Sequence, residues 1–259
     1  DDLAWVRDSG LMRHAMESVR MLGVPVISHP EDVSLAPNGT MHEGTWSTRL
    51  GLYGLPSAAE VSAIARDIEL ARLTGTHLHV PHVSSRDGVA LIRSAKAQGL
   101  KVTCETTPHH VFFTDADCRE YDTSFKVKPP LRSASDQEAL IEALVDGTID
   151  AIASDHAPHT ATDKERTFAH APFGAIGLET AFAATHDRLV LRGPLPLWRL
   201  VELMSTAPAR ILGRNAGSLA PGRSADFALV DLEDVWTPHA GGFVSKGRNC
   251  PWIGRTLTG

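Results

Sequence analysis

The chain has 259 residues, 42% hydrophobic and 22% charged, which is too apolar for a disordered segment and enough for one large core or two modest ones. No run approaches the roughly eighteen consecutive apolar residues of a membrane helix, so a helical span is not expected. A formal net charge of −6 with no concentrated basic run argues against nucleic acid, whose phosphates need clustered Lys and Arg, and leaves small molecules as the expected partners. Cys104, Cys118 and Cys250 are too few and too scattered for a disulfide framework or a four-thiolate zinc site, so a reducing cytoplasm is expected. The opening Asp1-Asp2-Leu3-Ala4-Trp5 lacks the basic flank and apolar centre of a signal peptide and reads as the interior of a longer sequence.

An amphipathic stretch around Leu11 to Leu22, then Gly23 and the apolar run Val24 to Ser28 ending on His29, reads as helix, turn and strand. A polar loop rich in Pro and Gly (Pro30 to Pro56) leads into a helix over Ala58 to Leu73 and a strand over His77 to His82. The unit repeats. Helices are predicted over Arg86 to Gly99 and Ser135 to Val145, and strands over Lys101 to Glu105 and Ile149 to Ser154, the last ending on Asp155. Short β-branched strands alternating with longer helices imply parallel βαβ units and the α/β class. Further helical patterns run near Glu179 to Leu191, Leu197 to Met204 and Pro208 to Leu212. From residue 213 the texture changes. Gly217 to Asp231 reads as two short strands around a Gly and Pro turn, so a barrel portion is assigned to 1–212 and a small β-rich region to 213–259. Four strand-helix units make half of an eight-unit barrel, which leaves open edges that missing N-terminal residues or a partner chain should cover.

In a barrel the C-terminal strand ends point into one functional face, and residues two apart share a side. Here the strands end on His29, His82 and Asp155. Parity places Leu78 and Val80 with His82, and Ile149, Ala151 and Ala153 with Asp155, so each polar residue caps an inward row. Two imidazoles and a carboxylate on one face suit zinc. By the same parity His77 and His79 face away from His82, toward the outer helices, in structural or solvent-facing roles, and Thr107-Pro108-His109-His110 is assigned an architectural role. In Asp155-His156-Ala157-Pro158-His159, the Asp can ligate metal and move a proton, and His159 can reach the same cavity as a donor.

Seven ordered segments resemble those of bacterial dihydroorotases in the amidohydrolase superfamily: Ile27 to Asp32, Met41 to Gly44, His82 to Ser85, Glu105 to His110, Lys126 to Arg132, Asp155 to His159 and Pro172 to Thr180. Hydantoinases and allantoinases share the His, His and Asp placements. The Met-His-Glu-Gly, Asp-His-Ala-Pro-His and Pro-Phe-Gly-to-Glu-Thr segments are narrower. The resemblance implies a (β/α)8 TIM-type barrel, here mainly its C-terminal half, with part of a small β-sandwich region. It implies interconversion of N-carbamoyl-L-aspartate and L-dihydroorotate in pyrimidine synthesis with one or two zinc ions. Asp2, His29, His82 and Asp155 match metal ligands, while His159, Lys128, Phe173 and Gly174 match substrate contacts. Metal-bound hydroxide would attack the ring carbonyl, and Asp155 would pass the proton to the leaving nitrogen. Homo-oligomers and association with another pyrimidine-pathway enzyme are the implied assemblies.

This sequence departs from that pattern. The family's first-strand His-X-His, and the Arg and Asn for the substrate carboxylate, belong upstream of residue 1, so this stretch alone is not expected to be active. Lys128 replaces a substrate-contacting Asn and can donate but not accept a hydrogen bond. The chain also stops at Gly259, where the family continues into further strands. Two alternatives stay open: a hydantoinase-like cyclic amidase, and an inactive scaffold subunit.

Overall fold

The computed structural model describes residues 5–259. Its first half runs α1 (Ser9–Arg20), β1 (Val26–Ile27), β2 (Met41–His42), α2 (Thr45–Leu50), β3 (Gly54–Leu55), α3 (Ser57–Thr74), β4 (Leu78–Val80), α4 (Arg86–Ala97) and β5 (Val102–Thr106). There follow α5 (Pro108–Phe112), α6 (Ala134–Asp146), β6 (Ala151–Ile152), α7 (Ala161–Lys164), α8 (Ala181–Thr185), α9 (Leu197–Val201), α10 (Ala207–Ile211), β7 (Val235–Trp236) and β8 (Leu257–Thr258).

Local chemistry sets the helix ends. The Asp8 side chain accepts from the Leu11 amide, Ser85 from the Gly88 amide and Ser133 from the Asp136 amide, each satisfying a donor that the first helical turn leaves unpaired. Gly75 and Gly147 close α3 and α6 in the left-handed conformation that costs glycine least. The long patterns near 179–191 and 197–204 fold as α8 and α9, each running on into a wider π-helical stretch, His186–Leu191 and Glu202–Thr206. Helix α5, two 3₁₀ turns and the small parallel pair β2–β3 lie in segments read as loop.

Strands β1, β4, β5 and β6 pair in that order, all parallel, with Val26 opposite Leu78, Leu78 opposite Val102, and Glu105 opposite Ala151. Each connection carries a helix, so α3, α4 and α6 lie side by side along the sheet. One apolar core unites Met12 and Met16 of α1, Ile64 and Ile68 of α3, and the strand residues Leu78, Val80, Val102 and Cys104. A second core, around Met41, Phe113, Phe125 and Trp252, belongs to the loop layer.

This arrangement corrects the parity assignment. Leu78 and Val80 face the helices, whereas His77 and His79 bond Thr103 and Glu105 on the opposite face. His82 and Asp155 lie beyond the ends of β4 and β6 with φ of 37° and 47°, and a left-handed residue breaks the two-residue alternation. From 213 onward the β content is the antiparallel pair β7–β8 alone. Residues 217–231 form no strand, and Phe227 and Leu229 are exposed. A strand needs a neighbour to hydrogen-bond, and among the described residues none lies beside this segment.

A buried ion pair joins the sheet to the loop layer. Glu60 of α3 and Arg132, 1% and 3% exposed, meet at 3.3 Å. Glu60 also accepts from the backbone amides and hydroxyls of Ser84 and Ser85, and Arg132 donates to Leu55 O at 3.0 Å and to Ser84 Oγ at 3.0 Å. Removing one partner strands a buried charge. Arg132→Met should therefore lower unfolding free energy by about 3–5 kcal/mol in urea titrations, and a loss below about 1 kcal/mol would refute this account of the pair.

Candidate active site

The site is built where strands β1, β4 and β6 give way to loops. His29 lies two residues past β1 in a tight turn closed by the Glu31 amide on His29 O at 3.1 Å. His82 and Asp155 reach it through their left-handed backbone, a conformation costing of order 1–3 kcal/mol that the surroundings must hold in place. Both imidazoles are buried, and His29 Nδ1 stands 3.0 Å from His82 Nε2 with the rings edge to face. His82 Nδ1 and His109 Nε2 are buried without a hydrogen-bond partner, and the latter lies 3.9 Å from Asp155 Oδ2.

On the other side of His29, Nε2 meets Glu31 Oε2 at 3.3 Å, and Lys128 Nζ meets Glu31 Oε1 at 3.0 Å. His29, Lys128, Asp155, His159, Phe173 and Gly174 line one cavity of about 410 Å3. His159 is fixed by donating from Nε2 to Phe173 O at 2.7 Å, while its backbone amide donates to Asn249 Oδ1 at 3.1 Å. The loop carrying Phe173 and Gly174 is pinned by two lysines. Lys126 donates to the carbonyls of Phe168, Ala169 and Ala171, and Lys164 donates to those of Pro172 and Gly174.

Burial governs the charges. It drives His82 and His109 well below the usual histidine range, helped by neighbouring imidazoles, and lowers His42 and His110 to about 4. These rings are therefore neutral at pH 7, the form in which histidine binds a metal. Burial works to raise Glu31, but the bonds from His29 and Lys128 outweigh it and hold this carboxyl below its ordinary value.

The sequence profile of the amidohydrolase family matches residues 4–256. The chain belongs to the amidohydrolase family. It is 51% identical over its whole length to a dihydroorotase of Anaeromyxobacter dehalogenans and 49% identical to one of Pelotomaculum thermopropionicum. It spans about 60% of the length of these relatives. An L-hydantoinase (dihydropyrimidinase) structure from Arthrobacter aurescens superposes with a TM-score of 0.88 at 31% identity, over 99% of this chain and 60% of that one. The parallel half-sheet and its helices are accordingly part of a (β/α)8 barrel architecture.

In this amidohydrolase, His29 and His82 come together as a pair, and His29 shares its cavity with Asp155, His159, Lys128, Phe173 and Gly174. Asp2 lies outside the described residues. Among the described residues no group of three or more His, Cys, Asp or Glu side chains is arranged to hold a metal ion. Sequence reasoning passed over Glu31 and treated His109 as architectural, though both border the site. The spacing His29-Pro30-Glu31 was the available signal for the first; nothing in the spacing marked the second.

Two expectations follow. His42 and His110 stay neutral in the fold down to about pH 4, while the unfolded chain takes up protons near 6.5. Unfolding then binds protons between those values, so stability should be insensitive to these groups above pH 7 and fall as pH drops from 6.5 to 4. Urea midpoints at pH about 7.5 and about 5 measure this, and equal midpoints would contradict it. Gly174 has φ 131°, and a Cβ there would lie 2.7 Å from Ala157 Cβ and 2.8 Å from His159 Nε2. Gly174→Ala should cost about 1–3 kcal/mol in thermal or urea unfolding and displace His159, whereas unchanged stability would show that the loop relaxes freely.

Proposed function

We propose that this chain carries part of the active site of a zinc-dependent dihydroorotase, which interconverts L-dihydroorotate and N-carbamoyl-L-aspartate by opening and closing a cyclic amide. The observation that carries this reading is the buried imidazole pair, His29 Nδ1 and His82 Nε2 at 3.0 Å, with His29 lining the cavity that Asp155 also lines. Two facing imidazole nitrogens are a pair of donors suited to zinc. His29 and His82 would hold it, with Asp155, on the wall of the cavity that His29 lines, and Asp2 as the further ligands that would complete the set. When bound, one or two zinc ions would polarise the ring carbonyl and lower the pKa of water.

The chain's own residues supply the rest. Asp155, on the cavity wall, takes the proton that the attacking water loses as it adds to the ring carbonyl and delivers it to the ring nitrogen as the C–N bond breaks. His159 and the Phe173-Gly174 loop shape the wall against which the ring rests, and the Lys128 ammonium favours an anionic substrate. That cation, together with 45–51% identity to several dihydroorotases, favours a carboxylate-bearing substrate over hydantoin. The fold likeness to L-hydantoinase supports hydantoin hydrolysis as the second reading. We assign 1–212 to the barrel and 213–259 to an appended region, and place the protein in the cytoplasm, in keeping with three buried free cysteines.

The test is hydrolysis of dihydroorotate and hydantoin side by side by the whole protein supplied with zinc. Dihydroorotate should turn over faster, and preference for hydantoin overturns the substrate assignment. Asp155→Asn should lower kcat by about 10²–10⁴-fold, and a loss of only a few-fold would remove Asp155 from proton transfer.

A further inference from the structure

We infer that Glu31, anchored by Lys128, is a positioning residue that fixes the tautomer of His29 and aims its Nδ1 lone pair at the point where His29 and His82 converge. The inference deepens the metal-site reading above and rests on it.

Glu31 is 3% exposed, and its two oxygens do different things: Oε2 lies 3.3 Å from His29 Nε2 and Oε1 lies 3.0 Å from Lys128 Nζ. An ionised carboxylate only accepts hydrogen bonds, so the contact with His29 requires the proton on Nε2. A neutral imidazole with Nε2–H has its lone pair on Nδ1, the atom that stands 3.0 Å from His82 Nε2. The opposite tautomer would set a nitrogen lone pair against a carboxylate oxygen at 3.3 Å between two buried side chains, where such repulsion is poorly screened. The backbone helps, because the Glu31 amide closes onto His29 O across Pro30 and keeps ring and carboxylate in one turn.

Lys128 gives the arrangement its connection to the cavity. An ammonium has three donors; one is directed at Glu31, and the same side chain lines the cavity 5.3 Å from the Phe173 ring centre. The residue that would meet an anionic substrate thus also holds the carboxylate that orients a metal ligand. Substrate contact and ligand geometry share one side chain.

The experiment has a readout without metal and one with it. In the metal-free full chain carrying ¹⁵N-labelled histidine, NMR identifies which ring nitrogen of His29 bears hydrogen. Wild type and Glu31→Gln, whose amide oxygen still accepts, should show Nε2–H, and Glu31→Ala should lose that preference. Zinc affinity, measured by chelator competition, should fall about 10–100-fold in Glu31→Ala, with Lys128→Met between that variant and wild type. A wild-type His29 protonated on Nδ1 overturns the inference. So does a folded Glu31→Ala with the wild-type tautomer and unchanged zinc affinity, and a Lys128→Met indistinguishable from wild type overturns the anchoring role. Should Glu31→Ala fail to fold, wild type and Glu31→Gln still decide by tautomer. His29→Ala separates the two levels: if it leaves zinc affinity unchanged the metal reading fails, while the tautomer measurement still judges Glu31.

Discussion

The carboxylate of Glu60 accepts from five donors in a place closed to water, and the geometry of the candidate site depends on that concentration of bonds. Four of the donors belong to Ser84 and Ser85, the residues that follow His82 after one intervening valine. His82 itself sits in a left-handed conformation that a non-glycine residue resists. Isolated, such a residue would relax toward the β region and carry its imidazole away from His29. Here the chain two and three residues later is tied to α3 through a buried charge, so the strain is held by bonds made elsewhere. Arg132 extends the same hub to Leu55 and His42, which places the loop bearing the Met41-His42-Glu43-Gly44 segment under the same control.

The legible part of the sequence was the part governed by local rules. Ser85, Ser133, Gly75 and Gly147 announce helix ends because capping chemistry is satisfied within a few residues, and those helices and the parallel strand order appear as read. That His29, His82 and Asp155 follow strands of one parallel sheet, β1, β4 and β6, also came from position alone. What failed was the inference from parity. It assumed that β4 and β6 continue to their polar ends, whereas both strands stop short and the chain turns left-handed at His82 and Asp155. Nothing local announces such a turn at a His or Asp; it is imposed by tertiary bonds such as those of Glu60. The strands expected between 217 and 231 failed for the complementary reason, since alternation in sequence cannot supply the neighbouring strand that a ladder requires.

Electrostatics bear on an apparent conflict between an acidic chain and the anionic substrate proposed for its cavity. The chain's net charge is −6, while the cavity wall carries the Lys128 cation as well as the Asp155 carboxylate, and Glu31 is already engaged by His29 and Lys128. Lys126 and Lys164 stand behind the same wall, their ammonium groups spent on backbone carbonyls. The local field is therefore set by a few partly buried groups at short range, where screening by salt is weak.

The histidines show why burial and reactivity belong together here. An exposed imidazole near pH 6.5 is partly protonated and competes poorly for a cation, whereas His82, His109 and His110 are kept neutral by desolvation whether or not an ion is present. That neutrality costs stability in acid, but it leaves lone pairs ready at neutral pH. Neutral rings, however, have two tautomers, and desolvation does not choose between them. The choice needs a directional acceptor, and Glu31 is held on both of its oxygens, by His29 on one and by Lys128 on the other. Burial thus keeps His82 neutral, and Glu31 sets the direction in which its partner His29 acts.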